Sequence, residues 1–475
     1  MKETTVHLLR RSAAILGAIL LALVIAGGGV VTASLLKFHV SAPKADYPAP
    51  QSALEAQRQD LDYFAKAMAL DRSFAPAARI AGEKRVADLK ALAAALPPPQ
   101  LHAALMQVMA LADNGHTRMD PTASQGTLLL PVRVTRFAEG FFVMRATEPY
   151  RDMLGGQVES IDGMGIDEIL SRLETLRGGT EGFRRQNAAV FIVVQDLLYG
   201  VGVASEPGVS VWTVRLPDGR LITRRLIAYP LRQGDELPSG ERWLSPEPAR
   251  GAEAQWIAYR PASGAVPQTS RDFDDHFRLF PAGSCAQVVR LQHIGDADGQ
   301  RIAPFLAKTE AALRAHPPCA VILDLRGDGG GDYTKIWHFT HALPGLLAPG
   351  GNIYVLTDPE TFSAAITAAA FTKDAGGDQV TIIGAPVGDR LSFFSEGGSA
   401  CLPNLKICVH YQTGRHDYAH PCADWHQCYW LNWLYPVRVK SLQPDVSVPL
   451  SFADWNAGHD AALEQALVLA GKRRS

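Results

Sequence analysis

The chain has 475 residues, with 46 Lys and Arg against 48 Asp and Glu, for a net charge of −2. That balance excludes a globally cationic surface for nucleic acid, and 47% hydrophobic with 20% charged residues excludes wholesale disorder. The length exceeds one ordinary core and implies two or three domains.

Residues 12–36 contain no charged residue. As a helix they would rise roughly 37 Å, enough to cross a bilayer core of about 30 Å. Lys2, Arg10 and Arg11 precede the run, so the positive-inside tendency leaves residues 1–11 as a cytoplasmic tail and exports the rest. A cleavable signal peptide is the alternative, with Val31-Thr32-Ala33 as a small-residue cleavage pattern. Either way the remaining chain is expected in the periplasm or outside the cell, and the anchor makes the membrane a partner.

Residues 37–50, rich in Pro and Ala, read as a juxtamembrane linker. From 51 to 111, Leu54, Leu61, Phe64, Met68 and Leu70 recur at near-helical spacing, and Pro97-Pro98-Pro99 break the run. Residues 37–120 are thus expected to form a linker and helical subdomain. From 121 to 232 the period shifts towards strands, with a short helix near 166–176. Residues 209–216 and 220–227 flank Pro217-Asp218-Gly219, a hairpin signal. This is a β-rich module. Residues 233–284 have weak periodicity and read as a linker or insertion.

From 285 to 475 strands and helices alternate. The run Ala320-Val321-Ile322-Leu323-Asp324-Leu325 is nearly all apolar, as in a sheet covered on both faces. The fold class is therefore α/β, or α+β across the whole multidomain chain.

The six cysteines are Cys285, Cys319, Cys401, Cys408, Cys422 and Cys428. An exported chain permits disulfides, and six cysteines allow 15 connectivities. Short loops favour Cys401–Cys408 and Cys422–Cys428. His410, His416, His420 and His426 share this stretch, so zinc is an alternative, although no paired finger-type spacing is present.

Three segments carry potential chemistry. In Thr357-Asp358-Pro359-Glu360-Thr361-Phe362-Ser363-Ala364-Ala365 an apolar strand runs through a turn into an Ala-rich helix. A serine there sits at a helix N-terminus, where the free N–H of Ala364 could hold an oxyanion; the alternative is a plain N-cap. Arg326-Gly327-Asp328-Gly329-Gly330-Gly331 follows a buried strand and could bring the Gly330 N–H beside Ser363. It could equally be a tight turn; a phosphate loop lacks its GK[ST]. Asp113-Asn114-Gly115-His116-Thr117 places a histidine in a turn, as a base for a serine or as a structural residue.

Together these segments resemble the tail-specific, or C-terminal-processing, serine protease family, whose relatives include tricorn core proteases and retinoid-binding repeats. The resemblance covers roughly residues 100–465. Asp113 to Thr117 is similar to the family's Asp-x-x-His-Thr, and Val158 to Gly163 to the turn of its PDZ-like region. Asp324 to Gly331 resembles Asp-Leu-Arg-x-Asn-x-Gly-Gly, and Thr361 to Ala364 resembles Thr-x-Ser-Ala, which carries the nucleophile. Pro444-Asp445-Val446 and Gly458-His459-Asp460 are similar to C-terminal motifs.

The Ser-Lys branch has lysine where this chain has Asp389, and Arg390 is too basic to deprotonate a hydroxyl. The resemblance therefore lies closer to the tricorn-like branch that uses Ser, His and an acid. It implies Ser363 as nucleophile, His116 as base, Glu396 as the acid, and Gly330 and Ala364 as oxyanion donors. The implied activity is a serine endopeptidase acting on polypeptide, needing no metal or organic cofactor. Asp328 in place of Asn, and Ile366 where Glu is frequent, raise the alternative of a degenerate enzyme that binds peptide or ligand as a scaffold.

Overall fold

The computed structural model describes residues 36–123, 126–232, 244–247 and 256–472, together with 27–29, 32–34 and 242. Among them no helix is long and apolar enough to cross a membrane. The span expected at 12–36 lies for the most part outside the described residues.

The N-terminal helical region forms α1 (Ala53–Leu70), α2 (Pro76–Lys90) and α3 (Pro98–Ala110). The proline run that looks like a breaker instead opens α3, because the first turn of a helix has no use for the missing N–H. Residues 37–50, read as a linker, are tied down: Tyr411 Oη donates to the Val40 carbonyl at 2.6 Å and Tyr63 Oη to that of Pro43 at 2.9 Å.

The β-rich module holds β1 (Val132–Phe137), β2 (Gly140–Thr147), β3 (Gln157–Ile161), β4 (Val209–Arg215), β5 (Leu221–Ile227) and β6 (Trp256–Ala258). They belong to one seven-stranded sheet with the order β6-β2-β3-β4-β5; β1 also pairs β2, and the short strand Met164–Gly165 pairs β3. Module and helical region share one apolar core, in which Leu105 and Met106 of α3 join Trp212 and Val214 of β4.

The C-terminal half is built on a six-stranded sheet. Its strands are β7 (Phe277–Ala282), β8 (Ala286–Leu291), β9 (Ala320–Asp324), β10 (Asn352–Thr357), β11 (Val380–Gly384) and, after the strands named below, the edge strand Val446–Ser447. All pairs are parallel except β7 with β8. The alternation of strand side chains explains the nearly continuous apolar runs. Val321, Leu323, Ile353 and Val355 face a cluster that includes α4 (Ile302–Ala315) and α5 (Ala364–Gly376). Ile322, Tyr354 and Leu356 face Ala462, Leu463 and Ala466 of α6 (Ala461–Lys472). Both faces are buried.

Two stretches of the region read as linker, 233–284, are in fact β6 and β7. Each is an edge strand, with a partner on one side only, so its hydrophobic pattern is weak. Beyond β11 come β12 (Ser392–Ser395), β13 (Gly398–Cys401), β14 (Cys408–Tyr411) and β15 (Gly414–Asp417), which fold back towards the helical region. Disulfides join Cys401 to Cys408, Cys422 to Cys428 and Cys285 to Cys319, so both short-loop pairings form. Among the described residues no group of three or more His, Cys, Asp or Glu could hold a metal ion.

Candidate active site

The parallel strands β9 and β10 deliver two loops to one edge of the sheet. They are laced together: the Gly327 N–H donates to the Asp358 carboxylate at 3.2 Å, Thr361 Oγ1 to the Leu325 carbonyl at 2.9 Å, and the Phe362 N–H to the Asp328 carbonyl at 2.9 Å. Asp358 also accepts the N–H groups of Glu360 and Thr361, at 3.0 and 2.8 Å, which sets the turn.

At the end of this turn Ser363 has φ 54° and ψ −122°, a backbone that L residues rarely adopt. Its side chain makes no capping hydrogen bond with α5, so the hydroxyl is not serving as an N-cap. Gly330, with φ 107°, is pressed against it. A Cβ at Gly330 would stand 2.5 Å from Ser363 Cβ and 2.8 Å from the Ala364 nitrogen. Only glycine permits that approach. Ser363, Gly330 and Ala364 thus come together, with Ala364 at the first turn of α5, where N–H groups lack intrahelical partners.

The Gly330 N–H is engaged, donating to Asp328 Oδ1 at 2.8 Å. Burial pushes the Asp328 carboxyl well above its usual range, against the pull of that hydrogen bond and of Arg290.

His116 reaches the same region from the turn after α3. Asn114 fixes that turn by exchanging hydrogen bonds with the Phe394 backbone at 2.9 and 3.0 Å, and Thr117 Oγ1 donates to buried Asp71 at 2.8 Å. The imidazole lies in a pile of flat rings. Phe183 stacks on Phe362 at 4.4 Å, Phe362 on His116 at 4.3 Å, His116 on Phe393 at 5.2 Å, and Phe393 on His416 at 5.2 Å. The ring on which His116 stacks therefore belongs to the residue just before Ser363. Neither ring nitrogen of His116 has a hydrogen-bond partner, so no bond joins it to Ser363 Oγ. Burial, followed by repulsion from His416, Arg118 and Arg177, holds the imidazole well below its usual pKa.

The carboxylate beside His116 is Asp389, whose Oδ2 lies 4.0 Å from Nδ1. Asp389 accepts the Gly115 N–H at 3.2 Å and the Arg390 N–H at 2.8 Å. Burial pushes its carboxyl up to about 6, outweighing those hydrogen bonds and the charge of Arg390. Glu396 faces elsewhere. Its Oε1 is 3.6 Å from His416 Nε2 and accepts from Ser395 Oγ at 3.3 Å. Burial works to raise Glu396, but the nearby His416, helped by His39, outweighs it and holds the carboxyl below its ordinary range.

Two residues escaped the sequence reading as parts of the site. The sequence marks Asp389 only as the place of a missing lysine, and His416 only as one of four histidines near cysteines. The ring pile could not be read, since its members come from five separate segments.

The terminal motifs fold beneath the site rather than into it. Arg326 grips Asp324 and Asp460 with four hydrogen bonds of 2.8 to 2.9 Å, and Arg290 adds 2.8 Å to Asp324. A cavity of about 290 Å³ opens nearby between β1 and the core, lined by Arg136, Arg326, Asp358, Pro359 and Trp455. Neither Ser363 nor His116 lines it.

No family model matches the chain, and no curated protein matches it. Solved structures do. Mature CPAF complexed with lactacystin aligns over 89% of this chain and 99% of its own at 12% identity, with a TM-score of 0.57. Mature CPAF aligns over 89% and 98% at 13% identity, with a TM-score of 0.55. The photosystem II D1 C-terminal processing protease aligns over 87% and 99% at 14% identity, but its TM-score of 0.33 is too low to add to the comparison. At these identities the likeness shows a shared fold.

Proposed function

We propose that the chain is an exported, membrane-anchored serine endopeptidase of the tail-specific type. Ser363 attacks a peptide carbonyl, His116 accepts its proton, and water then releases the acyl product from the serine. The N–H groups of Ala364 and Gly330 receive the oxyanion; for Gly330 this requires release from Asp328. Asp389 stands nearest to the imidazole and orients it, in place of Glu396. The observation that carries the reading is Ser363 itself: a non-glycine residue at positive φ, uncapped, at a helix N-terminus and tight against a glycine that nothing larger could replace.

Export is supported by the three disulfides and the absence of a free cysteine among the described residues. The anchor rests on the uncharged run 12–36. Polypeptide is the substrate, and β5, an edge strand with exposed Leu221 and Ile227, offers a place for an extended segment to add.

The test is Ser363→Ala assayed on an unbiased peptide library and with a serine-reactive phosphonate. Cleavage and labelling should both disappear; unchanged cleavage would exclude the mechanism. A second reading, a catalytically degenerate scaffold on the same fold, is favoured by the bond between the Gly330 N–H and Asp328. Turnover that depends on Ser363 excludes it.

A further inference from the structure

Lys37 and Phe38 lie beside an unusual surface. Three of the eight tryptophans, Trp425, Trp430 and Trp433, lie within nine residues. Trp425 is 61% exposed, Trp433 54% and Leu434 61%. They form one patch because the Cys422–Cys428 disulfide closes the loop bearing Trp425, and Trp433 Nε1 donates to the Cys422 carbonyl at 3.1 Å.

The N-terminal segment meets this patch directly. Lys37 Nζ lies 4.1 Å from the centre of the Trp425 ring and donates to the Trp425 carbonyl. Phe38 packs edge-on against Tyr429 at 5.5 Å, and Arg72 Nη2 holds the Lys37 carbonyl at 3.0 Å. Leu36, one residue earlier and 73% exposed, is the last residue of the uncharged run 12–36. Bulky apolar side chains left in water on a protein surface mark an interaction site, and tryptophan favours the boundary between lipid headgroups and acyl chains.

We infer that Trp425, Trp433 and Leu434 form a docking surface that seats the folded domain on the phospholipid bilayer in which its own N-terminal segment is anchored. The occupant is lipid because Lys37, which directly follows the uncharged run, lies on the Trp425 ring of this patch. This rests on the anchored reading above. The surface is coupled to the site: Tyr429, packed on Phe38, also packs on His416 at 5.6 Å, and the Thr413 hydroxyl sits between the carbonyls of Phe38 and Glu396, with its one proton for either. Docking therefore holds the catalytic cleft at a fixed attitude to the membrane and favours substrate segments that lie close to its surface.

The test uses the full chain reconstituted in vesicles of phosphatidylcholine and phosphatidylglycerol, with and without bromine on the acyl chains. Flotation reports anchoring; quenching of tryptophan fluorescence by bromine reports docking. The expected result is quenching that Trp425→Phe/Trp433→Phe mostly abolishes, while flotation and cleavage of a soluble peptide persist. A chain that floats with equal quenching in wild type and variant, or with none, overturns the docking surface and leaves the anchor standing. A chain that does not float overturns both. Tryptophans shielded without lipid, in proportion to protein concentration, would assign the patch to a second copy and overturn the inference.

Discussion

Asp389 Oδ2 lies 4.0 Å from His116 Nδ1, with the imidazole held between the rings of Phe362 and Phe393. Both groups are buried: burial keeps the imidazole well below its ordinary pKa and raises the carboxyl to about 6. An ionised carboxylate is what stabilises an imidazolium during proton transfer. Activity is therefore expected to climb as pH rises through about 6, with Asp389 rather than His116 setting the acid limb.

Asp389→Asn should lose that limb and lower kcat by about 10²- to 10⁴-fold, by analogy with loss of the orienting acid in other serine hydrolases. A pH-rate profile of the two proteins checks it. Stability should respond in the opposite sense. A raised folded pKa means the folded state holds its proton more tightly, so this contribution is full below the ordinary 3.8 and is lost as pH rises through about 6. Relative to wild type, the Asn variant should therefore gain at most about 3 kcal/mol between pH 4 and pH 8. Parallel stability curves would show that Asp389 does not titrate in this range.

Gly330→Ala tests the close approach at the serine. The added Cβ would meet Ser363 Cβ at 2.5 Å and the Ala364 nitrogen at 2.8 Å, from a backbone at φ 107°. One of the two loops must shift, at a cost of about 1–3 kcal/mol. Thermal unfolding should show that loss, and phosphonate labelling of Ser363 should slow with it. By contrast Gly329→Ala has open space, with nothing within 4 Å of the new Cβ, and should label normally.

The β-α alternation after 285 was legible because each strand of the parallel sheet is buried on both faces, which leaves a continuous apolar run. Ser363 and Ala364 were legible because strand-turn-helix chemistry is local, and Gly330 because its glycine run ends a second buried strand. Edge strands such as β6 and β7 were hidden, since a strand paired on one side need not be apolar. The nearness of Asp389 to His116 was hidden for a related reason: Asp389 is held by the Gly115 N–H of a loop 274 residues away in sequence. No spacing rule reports such a distance.

The buried ion network predicts acid sensitivity elsewhere. Burial works to raise the Asp324 carboxyl, but Arg326 and Arg290 outweigh it and hold it far below its ordinary range. A depressed folded pKa gives stability that is present above the ordinary 3.8 and is lost only as pH falls towards the folded value. Asp460→Asn removes one of the two carboxylates on Arg326 and leaves the buried cluster with an uncompensated positive charge, which should cost about 3–5 kcal/mol. Chemical denaturation at neutral pH measures this. Because Asp460 sits beneath the site, KM and kcat of the protein that remains folded should change little.

Glu396→Gln separates the two candidate acids. The Glu396 carboxylate is paired with His416, 3.6 Å away, rather than with His116. Glutamine keeps the shape of the side chain and its positive-φ backbone, so the fold should survive. On this geometry kcat should fall by less than about tenfold, far short of the loss for Asp389→Asn. The main effect should be on stability in acid. The depressed carboxyl contributes above the ordinary 4.5 and its contribution is lost as pH falls through the folded value, so the Gln variant should show a flatter stability curve below pH 5. Kinetics on both variants with one peptide decide the matter: a larger loss for Glu396→Gln would make Glu396 the acid that serves His116, through a rearrangement of β12 and β15 that brings His416 out of its place.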